Sequence, residues 1–404
     1  MNRIQLIGIE GEQLQGWQKE MVCASVLVVA SRRYRLLVDN LGTAVVAIAP
    51  LAGMLEQLAD GLQKGDVAVL ASGDPLLYGI GRLLLKRFGP DRVRVYPAVS
   101  AVQLACSRFA LPWDDLPLVS LHGRALENPG KLLCYPRVLL FTDETNSPDR
   151  VAEVLQKLLL RVGDTARCRA IGVRVAENLG LSDERLVSGT LAEIADQRFA
   201  PLNMMLLEQP EVDGSPAAGP FGLREADIHH SRGLITKDEV RAAILHQLKL
   251  PHVGTFWDIG GGSGAVSLEA ARLCPDLNIY TVERRAEQLD NIHANIRRYA
   301  AFSIQTVDGE APTALDRLPD PHRVFIGGSG GNLEGIITTV LDRLNPGGRV
   351  VVSAILKATA ALAPVLLHAG GCRVSVRTVQ VERWSWPEKE LIRLNPITII
   401  TGER

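Results

Sequence analysis

What this chain lacks narrows its function first. Its six cysteines, Cys23, Cys106, Cys134, Cys168, Cys274 and Cys372, stand far apart. None forms a CxxC pair, so neither a zinc knuckle nor a disulfide framework is expected and the metal set is empty. No apolar run reaches the length that spans a bilayer. The opening MNRIQLIGIEGEQ has neither the apolar core nor the cleavage-like site of a signal peptide. A cytoplasmic protein with reduced thiols is the expectation. Lys and Arg number 44 against 45 Asp and Glu, and aromatic residues make up 5%. No basic stripe with interleaved aromatics is present, which argues against a nucleic-acid or membrane partner but leaves room for a local basic pocket. No nucleophile–His–acid pattern is legible, and there is no short repeat or low-complexity tract.

What is present points to two domains. A chain of 404 residues exceeds one typical domain. Residues 209–220, QPEVDGSPAAGP, carry prolines, glycines and no apolar periodicity, the composition of a linker. On either side, β-branched runs alternate with amphipathic windows, the pattern of α/β domains with largely parallel sheets. Strands are expected at 4–9, 25–30, 66–71, 92–96, 137–142, 168–175 and 203–208, with helices at 76–88 and 150–161. In the second half a helix is expected at 236–249. Strands should follow at 255–259, 278–282, 303–307, 322–326, 348–353, 373–381 and 396–401, the last two as an antiparallel pair at the sheet edge.

The densest signal is TFWDIGGGSGAV, Thr255 to Val266. Glycines let backbone approach a ligand closely and turn at positive φ. The helix beginning at Ala265 offers free N–H groups and a positive dipole end. Gly260, Gly262 and Ala265 satisfy G-x-G-x-x-G/A, so a dinucleotide stays open at this point, as does a tight turn with no ligand. Asp258 in front of the loop tips the balance toward S-adenosyl-L-methionine, because a carboxylate suits its ammonium and sulfonium and repels a pyrophosphate. Glu283, at the end of IYTVE and 19 residues after Gly264, suits a ribose diol. Asp308 to Pro312 could line the adenine side, and the Gly327–Gly331 run belongs at the ligand face of an open sheet. Thr236 and Glu239 have capping-box spacing. Lys237 and Arg241, on the same turn, are candidates for an anionic substrate or for a solvated face.

The run TKDEVR, WDIGGGSG, VE, DGEAP and FIGGSGG, in that order over 221–404, closely resembles the small precorrin methyltransferases and decarboxylases of cobalamin biosynthesis. The resemblance implies a Rossmann-like class I methyltransferase fold. It assigns Thr236, Gly260, Gly261, Gly262, Ser263, Gly264, Glu283, Gly309, Glu310 and Ala311 to the cofactor.

In the first half, LASGDPLLYGIG (70–81) joins a strand to a helix, with Asp74 as N-cap and Pro75 at the first helical position. Together with YPAVSAVQLACSRFALPWDD (96–115) and VSLHGR (119–124), it resembles the tetrapyrrole methylase family, in the branch acting at carbon 5 of the corrin precursor. The resemblance covers 1–208 and implies the two-lobed class III fold, with the cofactor held by Gly73, Asp74 and Ser100. His122 and Arg124 are candidates to face substrate. The loop after the first strand, GIEGEQLQGW, departs from the family in having no proline.

Both resemblances in one chain are similar to the fused methyltransferases of the cobalamin pathway. They imply residues 1–208 for carbon 5, 209–220 as linker, and 221–404 for carbon 15 and loss of the C-12 acetate carboxyl, with precorrin-8X as product. They also imply two S-adenosyl-L-methionine sites per chain, a precorrin substrate and a homo-oligomer. Three other readings stay open here: a fusion acting on another small molecule or RNA, a non-catalytic first half, and an NAD-dependent enzyme.

Overall fold

A computed structural model describes residues 1–210 and 220–404. The chain divides into two compact units. The first comprises Met1–Ala125, Arg137–Glu153 and Ile171–Glu208; the second comprises Leu126–Pro136, Val154–Ala170 and Gln209–Arg404. Most of the expected linker, 211–219, lies outside the described residues.

The first unit holds two five-stranded sheets. In one, β1 (Ile4–Ile9), β2 (Leu27–Ala30), β3 (Val45–Ala47), β4 (Val67–Ser72) and β5 (Val93–Tyr96) lie in the order β3-β2-β4-β1-β5. Every pairing there is parallel. Strand β1 shows why this sheet is buried on both faces. Its side chains alternate, so Ile4 and Leu6 pack with Met54 and Leu58, while Ile7 and Ile9 pack with Val22 and Tyr34.

The other sheet orders β6 (Leu118–Ser120), β7 (Arg137–Phe141), β8 (Gly172–Glu177), β9 (Arg185–Thr190) and β10 (Asn203–Glu208) as β6-β7-β10-β8-β9. Only β6 and β7 run parallel. The expectation of largely parallel sheets fails here, because a connection as short as that between β8 and β9 can only reverse the chain. The sequence also gave no sign of β3, β6 or β9, which are short or mostly exposed. Strand β8 begins at Gly172, since Thr165–Ala170 is helical.

The second unit has one seven-stranded sheet. Its strands are β11 (Gly254–Ile259), β12 (Leu277–Glu283), β13 (Ile304–Asp308), β14 (Arg323–Ile326), β15 (Arg349–Ala354), β16 (Arg373–Val379) and, after a small hairpin of β17 (Glu382–Trp384) and β18 (Leu391–Arg393), β19 (Ile397–Glu403). The order is β13-β12-β11-β14-β15-β19-β16, parallel from β13 to β15 and antiparallel at β19 and β16. The edge pairing expected of the last two long strands is therefore present. Trp257 and Ile259 bury against Val324, Ile326, Val350 and Val352. The chain crosses from the β13 side to the β14 side next to β11, so β11 and β14 flank a topological switch point, where open α/β sheets bind ligands. No helix among the described residues is long and apolar enough to cross a membrane.

Candidate active sites

At that switch point lies a cavity of about 530 Å³. Strand β11 delivers the glycine loop to its wall. Gly260 and Gly261 donate their N–H groups to Val282 O at 2.9 and 3.1 Å, locking the loop onto β12. Gly260 has φ +70, and a Cβ there would stand 2.5 Å from Gly328 O, so the loops after β11 and β14 meet only because no side chain intervenes. Gly262, Ser263, Gly309, Glu310 and Ala311 line the same cavity, as do Gly327, Gly328, Ser329 and Gly330. Gly264 does not line it. With φ +73 it is the N-cap of the helix Ala265–Leu273.

Glu283 closes β12 at the cavity edge, 5% exposed. Its Oε2 accepts from Gly262 N at 2.9 Å. Its Oε1 accepts from Arg284 N and Arg285 N at 3.0 Å and from Arg285 Nε at 3.4 Å. A carboxylate offers about four lone-pair sites. A diol can therefore add at Oε2, which accepts one N–H, whereas the Arg284 and Arg285 amides already fill both lone-pair directions of Oε1.

Asp258 does not face the cavity. It is buried behind the loop, where its Oδ2 accepts from Ser267 N at 3.2 Å and Ser267 Oγ at 2.6 Å. Ser267 Oγ in turn lies 2.6 Å from Thr281 Oγ1. Burial pushes the Asp258 carboxyl up to about 6, against the pull of the Ser267 hydrogen bonds. The role expected from its position before the loop, meeting a cationic cofactor, is thus replaced by fastening the first turn of the next helix.

Arg241 is likewise not a cavity residue. It is 1% exposed. Its guanidinium donates to Thr236 O at 2.9 Å and Asp238 Oδ1 at 3.1 Å, reaches Leu223 O, and lies 3.5 Å from the buried Glu269. The expectation that it contacts substrate fails because all of its donors face inward. Lys237 and Thr236 do line the cavity. Lys237, not Thr236, is the N-cap of the helix Asp238–Leu248, and no capping box forms. Glu239 is instead taken by Arg383 at 2.7 and 2.9 Å. Lys237 Nζ reaches Glu225 at 2.5 Å. Burial alone would raise the Glu225 carboxyl, but hydrogen bonds from Lys237 and Arg383 hold it below its ordinary value.

A larger cavity, about 680 Å³, belongs to the first unit and brings together Gly73, Asp74, Ser100, His122 and Arg124. It gathers loops from the carboxyl ends of β1, β2, β4, β6 and β7. The end of β1 packs tightly on the loop after β4, since a Cβ on Gly8 would lie 2.1 Å from Gly73 O. Asp74 does not open a helix as its sequence suggests. Its Oδ1 accepts from Leu76 N at 2.8 Å in a turn, Tyr78 follows at φ +52, and the helix starts at Gly81. A residue held in the left-handed region interrupts helical backbone there.

Ser100 is the N-cap of the helix Ala101–Phe109 in a capping box with Gln103. Its hydroxyl is spent on that turn, so it offers the cavity position rather than a free donor. The His122–Arg124 loop is fixed by Asp143, whose Oδ2 accepts from Gly123 N at 2.7 Å. Burial raises the Asp143 carboxyl, but the backbone amides of Asn146, Gly123 and Thr145 bring it below its ordinary value.

Several lining residues escaped the sequence reading. In the first cavity these are Arg33, Arg82 and Tyr78; in the second, Arg284, Arg285 and Asn395. Placement directly after a strand was the available signal for Arg284 and Arg285.

With both sites described, likeness to known proteins becomes informative. A family model described as tetrapyrrole (corrin/porphyrin) methylases matches residues 27–195, and one described as a precorrin methyltransferase domain matches residues 227–385. A protein of Sinorhizobium sp named precorrin-6Y C(5,15)-methyltransferase, decarboxylating, is 31% identical over 396 residues, 91% of this chain and 91% of that one. A cobalt-precorrin-6B C(15)-methyltransferase (decarboxylating) of Salmonella typhi is 38% identical over 149 residues, 36% of this chain and 76% of that one. The solved structure of a precorrin-6y C5,15-methyltransferase from Geobacter metallireducens GS-15 is 39% identical, with TM-score 0.46, and covers 47% of this chain and all of that one. The likeness to the Sinorhizobium protein along nearly the whole of both chains establishes that this chain belongs to the precorrin-6Y C(5,15)-methyltransferase, decarboxylating, family.

Proposed function

We propose that each cavity is a separate methyl-transfer site with its own S-adenosyl-L-methionine. The chain is an S-adenosyl-L-methionine-dependent C-methyltransferase of cobalamin biosynthesis that acts on a precorrin. In this reading the domain 1–208 methylates carbon 5. The domain 221–404 methylates carbon 15 and releases the C-12 acetate carboxyl as carbon dioxide, giving precorrin-8X. A cytoplasmic homo-oligomer completes the reading, and light scattering of the purified chain measures its size.

The observation that carries the second site is Glu283. Its carboxylate is held to Gly262 N at 2.9 Å on a cavity wall otherwise built of glycine backbone. This donor set suits a ribose diol beside a moiety that needs close backbone approach. In the cavity, Glu283 would hold the ribose, Gly260, Gly261, Gly262 and Ser263 the amino-acid end, and Gly309, Glu310 and Ala311 the adenine side. In the first cavity, the backbone of Gly73 and Ser100 and the Asp74 carboxylate would hold the corresponding group. Bound there, the cofactor supplies an electrophilic methyl on a sulfonium.

The protein's part is positioning and exclusion of water. Bridge carbons of a reduced tetrapyrrole are enamine-like nucleophiles, so neither site needs a strong base to generate one. The electrons left by decarboxylation pass into the conjugated ring, and the second cavity has only to orient the acetate arm.

Mass spectrometry of product formed by the full chain tests this. Two methyl groups gained and one carbon dioxide lost support it; a single methyl gained refutes it.

A further inference from the structure

The two cavities treat positive charge differently. All three cations lining the second are matched within the fold: Lys237 to Glu225, Arg284 to Glu310 and Arg285 to Glu283, at 2.5, 2.6 and 3.4 Å. The first cavity is lined by Arg33, Arg82 and Arg124, and no carboxylate among the described residues pairs with any of them. Arg33 only lies over the neighbouring Tyr34 ring, 5.2 Å from its centroid. Its two acids, Glu10 and Asp74, sit on other loops, and Asp74 Oδ1 is already taken by Leu76 N. Three guanidinium groups converging on one cavity repel each other until an anion joins them.

The cavity also exposes apolar surface. Leu76, Tyr78 and Leu202 are 46%, 47% and 48% exposed although all three line it. Tyr78 is not loose, because its hydroxyl donates to Leu118 O at 3.0 Å and its ring meets Phe141 edge-on at 5.1 Å. A cavity that combines exposed apolar side chains with arginines lacking a carboxylate partner fits a large apolar ligand that carries carboxylates.

Resting on the function proposed above, we infer that Arg33 and Arg82, with Arg124 across the cavity, anchor substrate carboxylates at the first site. Leu76, Tyr78 and Leu202 take the face of the ring. The first site is accordingly the charge-selective one, while the second recognises substrate with little net contribution from its cations.

The test uses the full chain and uroporphyrin, a planar octacarboxylate, as a fluorescent probe. In the unaltered chain, one binding event should weaken steeply between about 0.05 and 0.5 M salt. The double variant R33Q/R82Q should lose that event by about a hundredfold or more, and R33K should retain part of it, since a lysine keeps charge without the planar fork. S-adenosylhomocysteine affinity and thermal midpoint should stay unchanged in both variants. Equal, salt-sensitive binding by the unaltered chain and R33Q/R82Q would overturn the inference, as would no salt-sensitive binding at all. Arginine-dependent binding without methylation of carbon 5 would uphold the anchors and refute the proposed function instead.

Discussion

The second cavity meets each of its lining cations with a carboxylate of the fold; among the described residues the first cavity leaves its lining arginines without one. Behind the second cavity stand buried Asp258 and the Arg241–Glu269 pair, and its lining cations each meet a carboxylate. The first cavity is lined by arginines with no carboxylate partner among the described residues and by half-exposed apolar side chains. Buried ionic groups fix the geometry of a glycine loop and its neighbouring helix, at a cost in stability when one partner is lost. Unpaired surface cations hold no fold together, and their value is realised only against a ligand.

The largest effect expected from breaking this contrast is at Arg241. Its replacement by Met leaves Glu269 buried with one fewer partner, at a cost of about 3–5 kcal/mol to the second unit. Chemical unfolding should show that loss, while methylation per folded molecule is nearly unchanged. Next, Gly260→Ala should lower S-adenosylhomocysteine affinity at the second cavity by about a hundredfold. A Cβ there meets Gly328 O at 2.5 Å in backbone with φ +70. Titration should find the first site intact and product carrying only the carbon-5 methyl.

Asp258 gives a pH signature that the first cavity should lack. Its folded carboxyl sits near 6 against an ordinary 3.8, with burial as the main cause. The protonated form is favoured in the fold, so the stability is complete below the unfolded value and is lost as pH rises toward and past 6. The loss amounts to about 3 kcal/mol. Urea unfolding of the second unit should show this slope, and Asp258→Asn should flatten it. At Glu283, substitution by Gln should weaken cofactor binding at the second site by about tenfold, because an amide replaces one acceptor with a donor. The smallest change is expected from Tyr78→Phe. Losing a half-exposed hydrogen bond to Leu118 O should cost less than about 1 kcal/mol and raise KM for carbon-5 methylation only a few-fold.

How much of this was legible depended on whether a residue's role was local. Glycine loops after strands encode both their shape and their place at the ligand face. The wall from Gly260 to Ser263, Glu283, and Gly309 to Ala311 could therefore be read directly, whereas Gly73 and Asp74 by themselves read as a helix start and were tied to a cofactor only by the family resemblance. Charged residues misled, because their partners lie far away in sequence. Arg241 was drawn inward by Glu269, and Glu239 left its capping box for Arg383, 144 positions away. Asp258 stood in the expected register, but strand alternation turned its side chain toward Ser267. In the fold, the long apolar strands were visible while β3, β6 and β9 were not, for β3 and β6 are only three residues long and β9 is largely exposed. The mixed direction of the second sheet followed from connection lengths that composition does not reveal.

The most direct measurement is calorimetric titration of the full chain and of its Glu283→Gln variant with S-adenosylhomocysteine. Two sites in the unaltered chain, with only one weakened by the substitution, are expected. A single site that weakens with Glu283→Gln would contradict the two-site function and leave the first cavity without a cofactor of its own.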